Sequence, residues 1–187
     1  MRRILLDSNA LDPLLTQGSA YEVLNQAVKS AKLAVFFTHV TIDEVAATPD
    51  LGKRQWLLNL LVFLGQPIAI SAMVLDFSRL DFCHLTADDD TAFESLRSGN
   101  IKHSRDALIA HTARHEGCAL ITNEKRLAAR AREQSVEVLT TAQPLAEFGA
   151  DYPVPLPSLS EQTERDCSVS VLADADKHRQ TTRTNEQ

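Results

Sequence analysis

The sequence predicts an α/β fold: one domain built on a central parallel β-sheet with helices on both faces. Three observations lead there. Short apolar runs alternate with stretches of helical spacing over residues 1–150, the runs are almost unbroken in apolar residues, and polar side chains follow them directly. Strands buried on both faces read as continuous apolar runs, and alternation of strand with helix is the mark of crossover connections.

Residues 4–6, 33–37, 119–121 and 136–139 are the apolar runs, each brief enough for a buried strand. Between them, residues 21–31 carry apolar side chains at helical spacing and residues 56–64 read as a largely buried helix. Residues 106–116 place Leu108, Ile109 and Ala113 on one stripe, and residues 126–134 read as a basic amphipathic helix. Residues 68–70 fit either a strand or a linker. From residue 151 the chain changes to Tyr-Pro-Val-Pro-Leu-Pro and then a polar run, which predicts a disordered tail over 151–187, with residues 169–173 as a short helix or strand against a partner. There is no internal repeat and no Gly-rich nucleotide loop.

Composition bounds the function. A chain of 187 residues, 44% hydrophobic, supports one packed core plus an appendage. Its longest apolar stretch, residues 56–64, is interrupted at Asn59 and is far shorter than the roughly 20 residues of a membrane span. The Met-Arg-Arg-Ile-Leu-Leu-Asp start lacks the apolar region of a secretion signal, so a cytoplasmic location without membrane attachment is expected. Cys83, Cys118 and Cys167 have neither an even count nor a Cys-x-x-Cys spacing, which speaks against a disulfide framework and a zinc–thiolate site.

A formal net charge of -6 opposes nucleic-acid binding, which relies on clustered cations. Charge is nevertheless local. Lys102, His103, Arg105, His111, Arg114 and His115 crowd one segment, and Lys125, Arg126, Arg130 and Arg132 another.

In parallel sheets ligands bind beyond the carboxyl ends of the strands. Asp7 follows the first apolar run directly, Glu44 follows the second after Thr-His-Val-Thr, and Glu124 follows the third after Thr122 and Asn123. Asp106 starts the helix that leads into the third run. Each has a structural alternative. Thr41 and Glu44 fit a capping box, Ser104 and Thr122 fit helix caps beside Asp106 and Glu124, and Asp7 fits a turn ahead of Ser8 and Asn9. Joint occurrence at one kind of place favours a shared site. Carboxylates so gathered repel unless a cation neutralises them, and an all-oxygen donor set suits Mg²⁺ or Mn²⁺.

The segments Leu-Leu-Asp7-Ser-Asn-Ala-Leu, Thr-Ile-Asp-Glu44-Val, Arg-Asp106-Ala-Leu-Ile-Ala-His-Thr-Ala and Leu-Ile-Thr122-Asn-Glu124-Lys-Arg-Leu resemble, in order, the motifs of PIN-domain nucleases. The similarity runs over about residues 4–140 and is nearest to VapC-type toxins of toxin–antitoxin pairs. The resemblance implies a doubly wound parallel sheet, acids binding Mg²⁺ or Mn²⁺, and hydrolysis of RNA phosphodiesters, with Asp7, Glu44, Asp106 and Glu124 as the catalytic and metal-binding set. Ser8, Asn9, Thr122 and Asn123 would support it. The fourth acid departs from the pattern: that motif commonly ends in Asp, and here Glu124 is longer, with Asn123 beside it. The resemblance also implies a cognate antitoxin and a homodimer.

Lys102, Arg105, Lys125 and Arg126 are the candidates for RNA phosphate contacts, with a solvated helix face as the alternative for each. His111 and His115 have the i, i+4 spacing of a zinc pair but lack the intervening Glu, so an ordinary exposed face is expected. Ser8, Ser104 and Cys118 have no sequence-evident base, which leaves capping or packing. A second class of function is a catalytically silent PIN-like module that binds RNA or protein. A third, with Asp7 as a phosphoacceptor, lacks the expected partner residues.

Overall fold

The structure, a computed structural model, describes residues 1–16, 18–74, 77–84 and 91–151. The predicted tail lies outside the described residues from residue 152 onward, and so does the 169–173 segment.

The chain forms a five-stranded sheet. Strand β1 (Arg2–Leu6) lies at its centre, with β2 (Leu33–Phe37) and then β3 (Gln66–Pro67) on one side, and β4 (Ala119–Ile121) and then β5 (Val138–Leu139) on the other. Every pairing is parallel. The helices are α1 (Asp12–Thr16), α2 (Gly18–Lys29), α3 (His39–Ala46), α4 (Leu51–Leu64), α5 (Ala92–Arg97), α6 (Ser104–His115), α7 (Lys125–Glu133) and α8 (Ala142–Gly149).

Alternation along the strands sends successive side chains to two cores. Ile4, Leu6, Val35, Phe37 and Ile121 meet Leu24 of α2, Leu57 and Leu61 of α4, and Phe148 of α8 on one face. Leu5, Leu120 and Val138 meet Leu108 and Ile109 of α6 and Leu127 of α7 on the other. Both faces are therefore covered, as an all-parallel sheet requires.

Short elements differ from the sequence reading. The last strand starts at Val138 rather than residue 136. Residues 68–70 are not a strand: Ile68 N–H donates to Phe37 O just beyond β3, and Ile70 makes an isolated bridge with Cys83. Helix α4 is not largely buried. It buries Leu57, Leu60, Leu61 and Leu64 but exposes Val62 by 71% and Phe63 by 69%. Its hydrophobicity encodes a buried stripe plus two outward side chains. At the end of α6, Gly117 takes φ +61, and Cys118 N–H donates to Ala113 O at 2.8 Å. That left-handed turn, which favours glycine, stops the helix and aims the chain into β4.

Candidate metal centre

The carboxyl ends of β1, β2 and β4 lie side by side, and the chain leaves each one with a polar residue. Asp7 N–H still donates to Ile121 O at 3.1 Å, so this residue prolongs the ladder before the chain turns into the short 3₁₀ segment Ser8–Ala10. The position leaves Asp7 only 3% exposed. Its Oδ1 accepts from Ser8 N–H at 2.8 Å, and its Oδ2 accepts from Asn9 Nδ2 at 2.6 Å and from the Thr122 hydroxyl at 2.8 Å. All three donors are neutral. The Asp7 pKa is pushed up to about 6, first by burial and then by the charges of Glu44 and Asp106, against the lowering pull of the Thr122 and Ser8 hydrogen bonds.

Glu44 sits within α3, and the capping box does not form. Thr38 caps α3 by accepting from Thr41 N–H, while the Thr41 hydroxyl, fully buried, donates to Leu6 O at 3.2 Å. Glu44 instead accepts the Ser8 hydroxyl at Oε2, 2.6 Å away. Its pKa is also raised, chiefly by burial and further by the charges of Asp106 and Glu124, against Ser8 and Arg105.

Asp106 lies in the first turn of α6, and Ser104 does not cap that helix; its hydroxyl is buried with no partner among the described residues. Asp106 Oδ2 accepts from Arg130 Nη2 at 3.1 Å, an ion pair reaching from α7. Glu124 is the N-cap residue of α7 but makes no side-chain capping bond. Thr122 receives the Glu124 N–H at 3.1 Å, a turn just before the helix rather than a cap within it.

The supporting polar residues form one chain of bonds. Asn9 Oδ1 accepts from Asn123 N–H at 2.8 Å, and Asn123 Nδ2 donates to Thr141 Oγ1 at 3.1 Å. The acids thus influence one another electrostatically across the strand ends. Among the described residues, however, no three His, Cys, Asp or Glu side chains stand close enough to hold an ion by themselves.

Lys102, Arg105, Lys125 and Arg126 are exposed, and Arg105 lies 5.4 Å from the centroid of the Phe77 ring as well as near enough to Glu44 to lower its pKa. His111 is not on an exposed face: it is 1% exposed and meets Phe93 edge-on, whereas His115 points outward beside Glu116. Cys118 is buried, and burial raises its thiol pKa. The partner that sequence reasoning did not single out is Arg130, which lies 24 residues from Asp106 and on another helix. Its place in a basic segment was visible; its target was not.

Among the described residues no helix is long and apolar enough to cross a membrane. No curated protein matches the chain. The fold is similar to VapBC2 from Rickettsia felis bound to a DNA fragment from their promoter, with TM-score 0.49 and 16% identity over 74% of this chain and 98% of that one. It is also similar to PAE2754 from Pyrobaculum aerophilum (TM-score 0.48, 16% identity, 80% and 98% of the two chains). A third similar structure is VapBC-1 from nontypeable Haemophilus influenzae (TM-score 0.44, 12% identity, 75% and 99%). The assignment itself rests on sequence: the PIN domain family model matches residues 4–133, most of the length over which strands and acids have just been placed. The chain belongs to the PIN domain family.

Proposed function

We propose that this protein is a metal-dependent endoribonuclease that hydrolyses RNA phosphodiester bonds, acting in the cytoplasm as the toxin of a toxin–antitoxin pair. The observation that carries the reading is Asp7: a carboxylate 3% exposed, held by neutral donors and within electrostatic reach of Glu44 and Asp106. Such a group stores unfavourable charge that a hard cation relieves. The donor set fits, because it is all oxygen, and Mg²⁺ needs only one or two protein carboxylates when water and substrate phosphate complete its shell. That requirement is compatible with the open spacing of these acids.

Asp7 and Asp106 would hold the principal ion, Glu44 would share it or orient water, and Glu124 would complete the shell. When bound, Mg²⁺ or Mn²⁺ supplies activation of water and stabilisation of the charge that builds on phosphate oxygen. The chain's own contribution is orientation. Ser8 fixes the Glu44 carboxylate, and Asn9 and Thr122 fix Asp7. Lys102, Arg105, Lys125 and Arg126, all exposed, would receive the RNA phosphates. The antitoxin and the homodimer rest on the resemblance of the motifs to VapC-type toxins. Residues 1–150 would be the nuclease domain and 151–187 its tail.

One observation favours the silent PIN-like module instead: Asp106 already has a cation of its own in Arg130. The deciding experiment incubates partner-free protein with a pool of single-stranded and structured RNAs in Mg²⁺ or Mn²⁺, with EDTA and Asp7→Asn as controls. Cleavage abolished by both controls supports the nuclease. No cleavage by folded protein across the pool moves the assignment to the binding module.

A further inference from the structure

Among the acids of the site, Asp7 and Asp106 are held in opposite ways. Asp7 has only neutral donors, whereas Asp106 accepts from the Arg130 guanidinium at 3.1 Å. Arg130 is no freely exposed tether: its side chain is 14% exposed and that of Asp106 is 25% exposed, so the pair is partly shielded from solvent. The guanidinium is also shared. Its Nη1 lies 3.1 Å from His103 Nδ1, an arrangement that requires this ring nitrogen to accept and therefore to carry no proton. Its Nε is buried without a partner among the described residues. A buried N–H with no acceptor is costly, so this guanidinium is incompletely satisfied where it stands.

We infer that Arg130 is a built-in counter-ion for Asp106, which holds the carboxylate in place before a divalent cation arrives and which that cation must displace. The inference rests on the reading of these acids as a cation site. Arg130 is a positioning residue that competes with the metal for one carboxylate. The Asp106 charge still reaches Asp7 and Glu44 and raises their pKa values, so pairing with Arg130 leaves that carboxylate charged and available to a cation. The competition makes loading of the site harder than the acids alone would make it.

The test is titration of full-length wild type, Arg130→Gln, Arg130→Lys and Asp7→Asn with Mn²⁺, free ion being read by electron paramagnetic resonance. Gln retains a hydrogen-bond donor and loses the charge; affinity is expected to tighten by about fivefold, the scale of one modest ion pair. Lys retains the charge and is expected to stay within about twofold of wild type. Folding is checked by circular dichroism. The wild type alone supplies a second readout: Mg²⁺ titration followed by NMR of the Arg130 guanidinium, assigned by its loss in Arg130→Lys, should shift that signal.

Unchanged or weaker Mn²⁺ binding by folded Arg130→Gln, or a guanidinium signal indifferent to saturating Mg²⁺, overturns the role of Arg130 while binding lost in Asp7→Asn keeps the metal site. Binding undiminished in Asp7→Asn instead sinks the proposed site itself. No binding by any of the proteins removes both.

Discussion

The Thr122 hydroxyl donates to Asp7 Oδ2 at 2.8 Å while receiving the Glu124 backbone N–H at 3.1 Å, so one side chain ties the end of β4 to the end of β1. Thr122 is 1% exposed, and water cannot substitute freely for it.

Thr122→Val keeps the volume and removes both bonds. It is expected to cost about 1–3 kcal/mol, the penalty for stranding buried polar groups. Because the Thr122 bond lowers the Asp7 pKa, its loss should also move that pKa above its present value of about 6. Urea melts and a ¹³C titration of the Asp7 carboxyl check the two effects; an unmoved Asp7 titration would contradict the bond.

Asp7 also sets a pH dependence. Its folded pKa, about 6, exceeds the ordinary 3.8, so between these values the native state binds more protons than the unfolded chain. The stabilisation is therefore full below pH 3.8 and is lost as pH rises through about 6. Over that window the Asp7 contribution should fall by roughly 3 kcal/mol in metal-free protein, and Glu44, also raised, acts in the same direction. Melts from pH 4 to 7.5 should show a decline in wild type that is flattened in Asp7→Asn. Parallel profiles would mean that Asp7 titrates normally.

Much of this arrangement was legible in the sequence because parallel strands buried on both faces have to be continuous apolar runs. Residues 4–6, 33–37 and 119–121 coincide with β1, β2 and β4 to within two residues. The acids at their ends were legible for the same reason. What was hidden depends on choices between chemically similar neighbours. Thr38 and Thr41 are both good caps, but the helix starts at His39, so Thr38 takes the role and Thr41, inside the first turn, turns its hydroxyl to Leu6 O. The Arg130–Asp106 pair joins two helices through tertiary packing, which no local spacing reveals.

Apolar residues of the chain divide sharply in their worth. Leu5, fully buried at the centre of the sheet, should cost about 2–5 kcal/mol as Leu5→Ala. Phe63, 69% exposed on α4, should change stability by no more than about 0.5 kcal/mol as Phe63→Ala, despite its larger side chain. Denaturant midpoints compare them, and a Phe63 cost near that of Leu5 would restore the view of α4 as a buried helix.

If RNA phosphates lie along the exposed cations, Arg105→Glu and Lys125→Glu should each weaken RNA binding without changing which sequences bind. The slope of log affinity against log salt should fall in magnitude by about 0.7 for each contact with single-stranded RNA. Binding is read by fluorescence anisotropy in an Asp7→Asn background, in which the proposed cleavage is expected to be lost. An unchanged slope in both variants would assign these side chains to a solvated face.

The most direct measurement is anomalous diffraction from crystals of the protein soaked in Mn²⁺. A peak is expected at coordination distance from an Asp7 carboxylate oxygen, with Asp106 turned toward it, and none there in Asp7→Asn crystals. Wild-type crystals at saturating Mn²⁺ with no peak beside Asp7 would contradict the metal centre and, with it, the nuclease assignment.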